Sequence, residues 1–156
     1  MARGAEVVGE VRMAPESSLW YGAALRGEAA PVELAYQANV QDNGVVEGTP
    51  GHPAFIGPGV TLGHNARVFG AVVEERSMIA IGATVLPGAR IGAQSIIAAN
   101  ATVPEGMHVP ARSLVIGQGR ILREVTQAEI DRIDRGAREY ARLAREHGRS
   151  AAAADR

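Results

Sequence analysis

A chain of 156 residues with a formal net charge of −1 predicts one domain with a buried core and no general attraction to nucleic acid or an anionic membrane. The absence of cysteine excludes disulfides, thiolate catalysis and cysteine-ligated zinc. The N-terminal stretch MARGAEVVGE contains no long apolar run, so we expect no signal peptide or membrane anchor, and a cytoplasmic location.

Aliphatic residues recur every six positions along most of the chain. The step begins at Met13, Leu19 and Leu25 and resumes at Val40 and Val46. Its unbroken series is Val73, Ile79, Val85, Ile91, Ile97, Val103, Val109 and Val115. A period of six matches neither the 3.6 residues of a helical turn nor the alternation of a simple strand. It is typical of a chain that turns a corner every six residues.

Three such segments form one triangular coil, and stacked coils form a parallel β-helix. We therefore predict a β-helix over residues 1–120, with the aliphatic side chains inside and small residues at the corners. The alternative is an ordinary β-sandwich, but its turn signals would come about every 8–12 residues. The six-residue spacing is interrupted at 27–39 and again at 47–55. In the second interruption Gly, Pro and His predict a loop that protrudes from a coil.

After Val115 the pattern becomes helical. We predict a C-terminal α-helix over residues 121–148, packed on its own β-helix or on a neighbouring subunit. Thr126 and Glu129 form a capping box, and Gly148 predicts the helix end. The apolar stripe of the helix is Ile130, Ile133, Ala137, Tyr140, Ala141 and Ala144. Residues 149–156 are expected to form a flexible tail.

Five stretches of the chain carry a family resemblance. They are SSLWYGAALRGE, NVQDNGVV, GHPAFIGPGVTLGHNARV, IGATVLPGARIGAQSIIAANATVPEG and VPARSLVIGQGRILREVTQAEI. Together they resemble the γ-class carbonic anhydrases of the hexapeptide-repeat superfamily, over residues 7–143. The resemblance implies a left-handed parallel β-helix with a C-terminal helix, a homotrimer, and active sites at the three subunit interfaces.

In that family three histidines bind zinc or a similar metal, two from one subunit and one from its neighbour. The resemblance places Glu47, His64 and Phe69 at these three positions, so one histidine of three remains. Phenylalanine has no lone pair, whereas a catalytic zinc site usually has three protein ligands. We therefore expect no resident cofactor. The alternative is zinc or another divalent metal bound weakly by Glu47 and His64.

A carboxylate and an imidazole in one pocket can perform acid–base chemistry without a metal. The residues expected to act are Glu47, His64 and Gln41, and those expected to line the pocket are Arg26, Glu28, Asp42 and Phe69. Glu28 lengthens the aspartate of the family's LRGD motif. This predicts a repurposed, metal-independent enzyme for a small polar molecule. Equally open is a structural role, in which Glu47 bonds to backbone or to Arg26 across the interface and Phe69 fills the void.

Three further functions remain open from the sequence. They are a metal-dependent CO2 hydratase (a lyase) or hydrolase with a Glu/His site, a non-catalytic scaffold or assembly protein, and a hexapeptide acyltransferase with a CoA-type donor. The motifs LRGE and NVQDN favour the anhydrase branch over the acyltransferases. His52 is the only other histidine nearby in sequence, and we expect it to shape the 47–55 loop.

Overall fold

A computed structural model describes the backbone of residues 1–154 and the side chains of residues 1–148. The strands are β1 (Glu6–Met13), β2 (Ser18–Leu19), β3 (Ala24–Leu34), β4 (Asn39–Val40), β5 (Val45–Glu47), β6 (Ala54–Ile56), β7 (Thr61–Leu62), β8 (Arg67–Phe69), β9 (Val72–Val73), β10 (Met78–Ile79), β11 (Thr84–Val85), β12 (Arg90–Ile91), β13 (Ile96–Ile97), β14 (Thr102–Val103), β15 (His108–Val109), β16 (Ser113–Ile116) and β17 (Arg120–Glu124). The helix is α1 (Gln127–Ala154). The predicted fold class, a parallel β-helix followed by a C-terminal helix, is confirmed.

Successive coils stack because equivalent residues pair in register. In the first sheet Leu19 pairs with Val40, and Val40 pairs with Leu62, all in parallel. This sheet runs in the order β17-β16-β13-β10-β7-β4-β2. The other two faces form one sheet in the order β14-β11-β8-β5-β3-β6-β9-β12-β15, joined through the long strand β3.

The core consists of the aliphatic columns that the period predicts. Its largest fully buried side chains within the β-helix are Leu19, Leu25, Leu34, Ile56, Leu62, Ile79, Ile91, Ile97, Val32 and Val40. Small side chains such as Ala83 and Ala101 are also buried between the strands. Each buried Leu, Ile or Val contributes about 1.5–3 kcal/mol relative to an exposed one. A narrow triangular interior has no room for large rings, which explains the scarcity of aromatic residues.

One corner of the β-helix is built from residues with left-handed backbone. Gly22, Asn43, Asn65, Gly82 and Asn100 occupy equivalent positions in five successive coils, with φ between 57° and 69°. Glycine and asparagine are the residues that adopt this conformation most readily. The corner directs the residues on either side of it onto two different faces, and this arrangement places the candidate site.

The two lapses in the six-residue rhythm have different structural causes. At 27–39, strand β3 continues past its coil and pairs with β1, whose register shifts between Gly9 and Val11. A side chain on Gly27 would place Cβ 2.1 Å from the Glu10 carbonyl oxygen, so the close approach of β1 requires glycine there. At 47–55, Thr49 and His52 exchange backbone hydrogen bonds in a short loop.

The helix boundaries differ from those that the sequence predicts. Residues 120–124 form β17, antiparallel to β16, so α1 begins at Gln127 instead of 121. The backbone is helical through Gly148 as far as Ala154. The expected flexible tail, 149–156, falls on residues whose side chains lie outside the described part of the chain, and the backbone of 155–156 lies outside it as well.

Helix α1 packs on the first sheet through its apolar stripe. Ile130 and Ile133 are fully buried, and the helix contacts β2, β4 and β7. An ion pair between Arg76 and Asp134 adds a polar attachment. Trp20 packs edge-on against Tyr140, with ring centroids 5.2 Å apart. Within the described residues no helix combines the length and the hydropathy needed to cross a membrane.

The capping box predicts a pH-dependent contribution to stability. The Thr126 backbone N–H donates to the Glu129 carboxylate at 2.8 Å, and the Arg123 guanidinium donates to the same carboxylate at 2.8 and 2.9 Å. The Arg123 and Thr126 bonds lower the pKa of Glu129 from 4.5 to about 2. A depressed carboxyl pKa contributes stability above the unfolded-state pKa, and that contribution is lost as the pH falls toward the folded-state value.

We expect Glu129→Gln to lower the free energy of unfolding by about 1 kcal/mol at neutral pH, because the charge-assisted pair with the Arg123 guanidinium is lost while glutamine can still accept the Thr126 N–H. The difference from wild type should shrink as the pH falls from 4.5 toward about 2. Urea unfolding followed by circular dichroism measures both values. Glu105→Gln is the matched control, since Glu105 is exposed. A Glu129→Gln deficit that stayed constant down to acid pH would contradict the linkage.

Candidate active site

Three of the predicted site residues form one row across neighbouring strands. Arg26 of β3 pairs with Glu47 of β5, and Glu47 pairs with Phe69 of β8. Adjacent strands lie about 4.8 Å apart, and paired side chains point to the same side of the sheet. The residue before each of the three is buried in the core. Strand alternation therefore directs the Arg26–Glu47–Phe69 row to the outside of the β-helix.

The row presents a cation, an anion and an aromatic ring without internal partners. Among the described side chains, neither Arg26 nor Glu47 forms an ion pair or a side-chain hydrogen bond, although the two are neighbours in register. Glu47 and Phe69 are half-buried and Arg26 is exposed. These groups are available to a ligand or to a neighbouring subunit.

His64 and Asp42 stand on the corner next to this row. Each precedes a left-handed asparagine, Asn65 and Asn43, and the Asn65 N–H donates to the Asp42 carbonyl at 2.9 Å. This stacking brings His64 Nδ1 to 4.0 Å from the Asp42 carboxylate. Both side chains are 43% exposed. The asparagines therefore orient an imidazole–carboxylate pair toward the outside of the corner.

Gln41 lies apart from the two groups, whereas Glu28 lies beside the row on β3. Gln41 is buried on the first sheet, where its Nε2 donates to Asn39 Oδ1 at 3.4 Å, and Asn39 Nδ2 donates to Thr61 Oγ1 at 2.9 Å. It therefore belongs to a polar row outside the aliphatic core, on the face of the β-helix that helix α1 contacts. Glu28 is exposed on β3, two residues after Arg26 and on the same side of the strand.

A loop over Phe69–Gly70 adds a polar group that the sequence does not single out. Gly70 has a φ of 49°, and a Cβ there would lie 2.2 Å from Thr49 Oγ1. The Thr49 hydroxyl is buried and has no hydrogen-bond partner among the described residues. Thr49 follows Glu47 by two residues, so this loop places an unused hydroxyl next to the row. His52 lies over Gly88 at the far side of the same loop.

The donor set within one chain does not suit a three-ligand metal. Glu47 offers carboxylate oxygens, but the adjacent Phe69 offers no lone pair. His64 lies on the corner, where its described neighbour is Asp42. Across the described residues no three His, Cys, Asp or Glu side chains are close enough to one another to hold a metal ion.

Comparisons with known proteins agree with this architecture. Residues 70–105 match the family model described as bacterial transferase hexapeptide (six repeats). The chain is 40% identical over 135 residues to the carbonic anhydrase of Geobacillus kaustophilus (strain HTA426), covering 86% of this chain and 74% of that protein. It is 35% identical over 154 residues to the mitochondrial gamma carbonic anhydrase 1 of Arabidopsis thaliana, covering 94% of this chain and 56% of that protein.

A solved structure shows the same similarity in three dimensions. The hexapeptide transferase family protein of Anaplasma phagocytophilum superposes with a TM-score of 0.83 at 29% identity, covering 90% of this chain and 83% of that one. The shared feature is the stacked β-helix, on which Asp42, His64 and the Arg26–Glu47–Phe69 row are placed.

Proposed function

Because the chain belongs to the γ-class carbonic anhydrase family, we propose that it is a homotrimer whose subunit seams hold a metal-independent acid–base site. The substrate class is a small carbonyl compound that carries a leaving oxygen, such as a carboxylic ester. The observation that carries this proposal is the in-register pairing of Glu47 with Phe69. Glu47 puts a carboxylate at one of the family's metal-ligand positions, and Phe69 puts an aromatic ring at the neighbouring one.

The trimer places the corner of one subunit against the outward row of the next. His64 of one chain then faces Glu47 and Phe69 of its neighbour. Ile81 supports such a seam, because it lies one coil above His64 on the same corner and is 55% exposed in the single chain. Burying an exposed isoleucine against a neighbouring chain is favourable.

The metal of the family does not fit this site. Glu47 and His64 would supply one donor each, and Phe69 none, whereas a catalytic zinc usually takes three protein ligands and a water. The chemistry then rests on the side chains themselves. Asp42, on the Nδ1 side of His64, holds a proton on that nitrogen and leaves Nε2 directed across the seam.

Glu47 acts as the general base and His64 as the general acid of a hydrolysis. The Glu47 carboxylate accepts a proton from a water, and the water oxygen attacks the substrate carbonyl. The doubly protonated His64 gives its Nε2 proton to the leaving oxygen, while the Arg26 guanidinium stabilises the developing oxyanion. The proton on Glu47 then returns to His64 and restores the starting state. The 4.0 Å separation of His64 and Asp42 is longer than a hydrogen bond and is expected to shorten on binding.

The seam is tested first through the oligomeric state. We expect light scattering to give a mass of about 49 kDa for the wild type, three times the 16.3 kDa of the chain. Ile81→Glu should reduce it toward one chain, because it buries an unpaired charge at each of the three seams, with circular dichroism confirming that the β-helix persists. Ile121→Glu, at an exposed isoleucine of β17, is the control and should remain a trimer. A monomeric wild type would reject the seam site.

A further inference from the structure

A cavity of about 430 Å³ lies at the first coil of the β-helix, apart from the Arg26–Glu47–Phe69 row. It opens between the N-terminal segment and helix α1. Its lining includes Arg3, Ser18, Trp20, Tyr21, Ala144 and His147. Cavities that bind small molecules have volumes of about 300–1,000 Å³.

One wall of the cavity is aromatic and held in place by packing. Trp20 is 7% exposed, and its ring lies edge-on to Tyr140 and His147 at centroid distances of 5.2 and 5.3 Å. Tyr21 packs against His147 at 6.3 Å, and its hydroxyl lies 3.3 Å from His147 Nδ1. These rings are ordered before any ligand arrives, so a flat apolar group would meet a preformed surface.

The polar groups of the cavity favour an anion. Ser18 is 4% exposed, and its hydroxyl accepts a hydrogen bond from Trp20 Nε1 at 3.0 Å. That hydroxyl donates to no other described residue, so a buried donor is left unused. Arg3 forms no ion pair with the described side chains. None of the described lining residues is acidic, although the chain as a whole has a net charge of −1.

We propose that this cavity binds a small organic anion with an aromatic body. The carboxylate or equivalent group accepts hydrogen bonds from the Arg3 guanidinium and the Ser18 hydroxyl. The aromatic body lies against Trp20 and Tyr21. This site goes beyond the seam chemistry and uses neither the Arg26–Glu47–Phe69 row nor the His64–Asp42 pair.

The single tryptophan of the chain makes the site directly observable. Because Trp20 is that tryptophan, a change in its fluorescence on titration reports binding at this cavity. The probes are 4-phenylbutyrate and its amide, which share the ring and chain but differ in charge. We expect the carboxylate to bind about tenfold tighter than the amide, the difference typical of a charge-assisted hydrogen bond.

Two variants and a control separate the contribution of the carboxylate contact from that of the aromatic body of the ligand. Arg3→Gln should bring the two dissociation constants together, and Ala144→Phe should abolish binding of both probes by filling the cavity. Arg12→Gln removes an exposed arginine outside the cavity and should leave the ratio at its wild-type value. Equal affinity for acid and amide in wild type, an unchanged ratio in Arg3→Gln, or no fluorescence response would each overturn the proposal.

Discussion

Replacing Glu47 with glutamine is expected to lower the hydrolysis of 4-nitrophenyl acetate by chelator-treated protein by about 10²–10⁴-fold, the usual effect of losing a general acid or base. Glutamine keeps the size of the side chain but cannot accept the proton of the attacking water. The row from Arg26 to Phe69 stays intact, so the mass in solution should equal that of wild type. Rates measured on the trimer, with the mass checked by light scattering, test both statements.

His64→Gln should cause a loss of the same order, because it removes the acid on the other side of the seam. Glu33→Gln and His108→Gln are the controls. Both residues are exposed, and neither belongs to the Arg26–Glu47–Phe69 row or to the His64–Asp42 corner. Full activity in Glu47→Gln would assign Glu47 a packing role, and the chemistry would have to be sought elsewhere on the surface.

The β-helix is predictable from sequence because every coil must place aliphatic side chains in the same narrow interior. Ile79 and Ile97 pair in register, and each must fill the same narrow interior. The six-residue repeat does not predict the pairing of the long strand β3 with β1. Their pairing depends on Gly27 admitting the backbone of Glu10, a contact between distant segments that occurs once and leaves no periodic trace.

The sequence predicts the start of helix α1 correctly but not its end. The capping box correctly predicts the start, since Thr126 and Glu129 hydrogen-bond reciprocally at the first turn. Gly148 does not end the helix, because a single glycine costs only about 1 kcal/mol relative to alanine in a helix interior. The four alanines from Ala151 to Ala154 favour helix strongly and follow within three residues.

The candidate site is predictable only in part. The family resemblance selects Glu47, His64 and Phe69, and the pairing of Glu47 with Phe69 agrees with their expected closeness. The partnership of Asp42 with His64 had a signal in the sequence, since each precedes an asparagine that turns the same corner. Thr49 had none, because its burial depends on how the 47–55 loop folds onto Gly70.

Restoring two histidines is expected to create a zinc site where the wild type has none. In the double variant Glu47→His, Phe69→His, two imidazoles stand on adjacent paired strands about 4.8 Å apart. With His64 of the neighbouring subunit they supply the three nitrogen ligands of a catalytic zinc, at about 2.0–2.1 Å from the metal. Elemental analysis after dialysis against zinc should give about one equivalent per chain in the variant and below about a tenth in wild type.

The chain provides a matched control for this experiment. Glu33 and Phe55 are also a Glu–Phe pair in register, on β3 and β6, at the next face of the same sheet. Glu33→His, Phe55→His therefore creates the same two-imidazole pair away from His64. We expect it to stay metal-free, since two ligands are too few, and we expect His64→Gln to remove zinc from the Glu47→His, Phe69→His variant. Equal zinc in both double variants would show that the seam contributes no third ligand, and His64 would then not face this row.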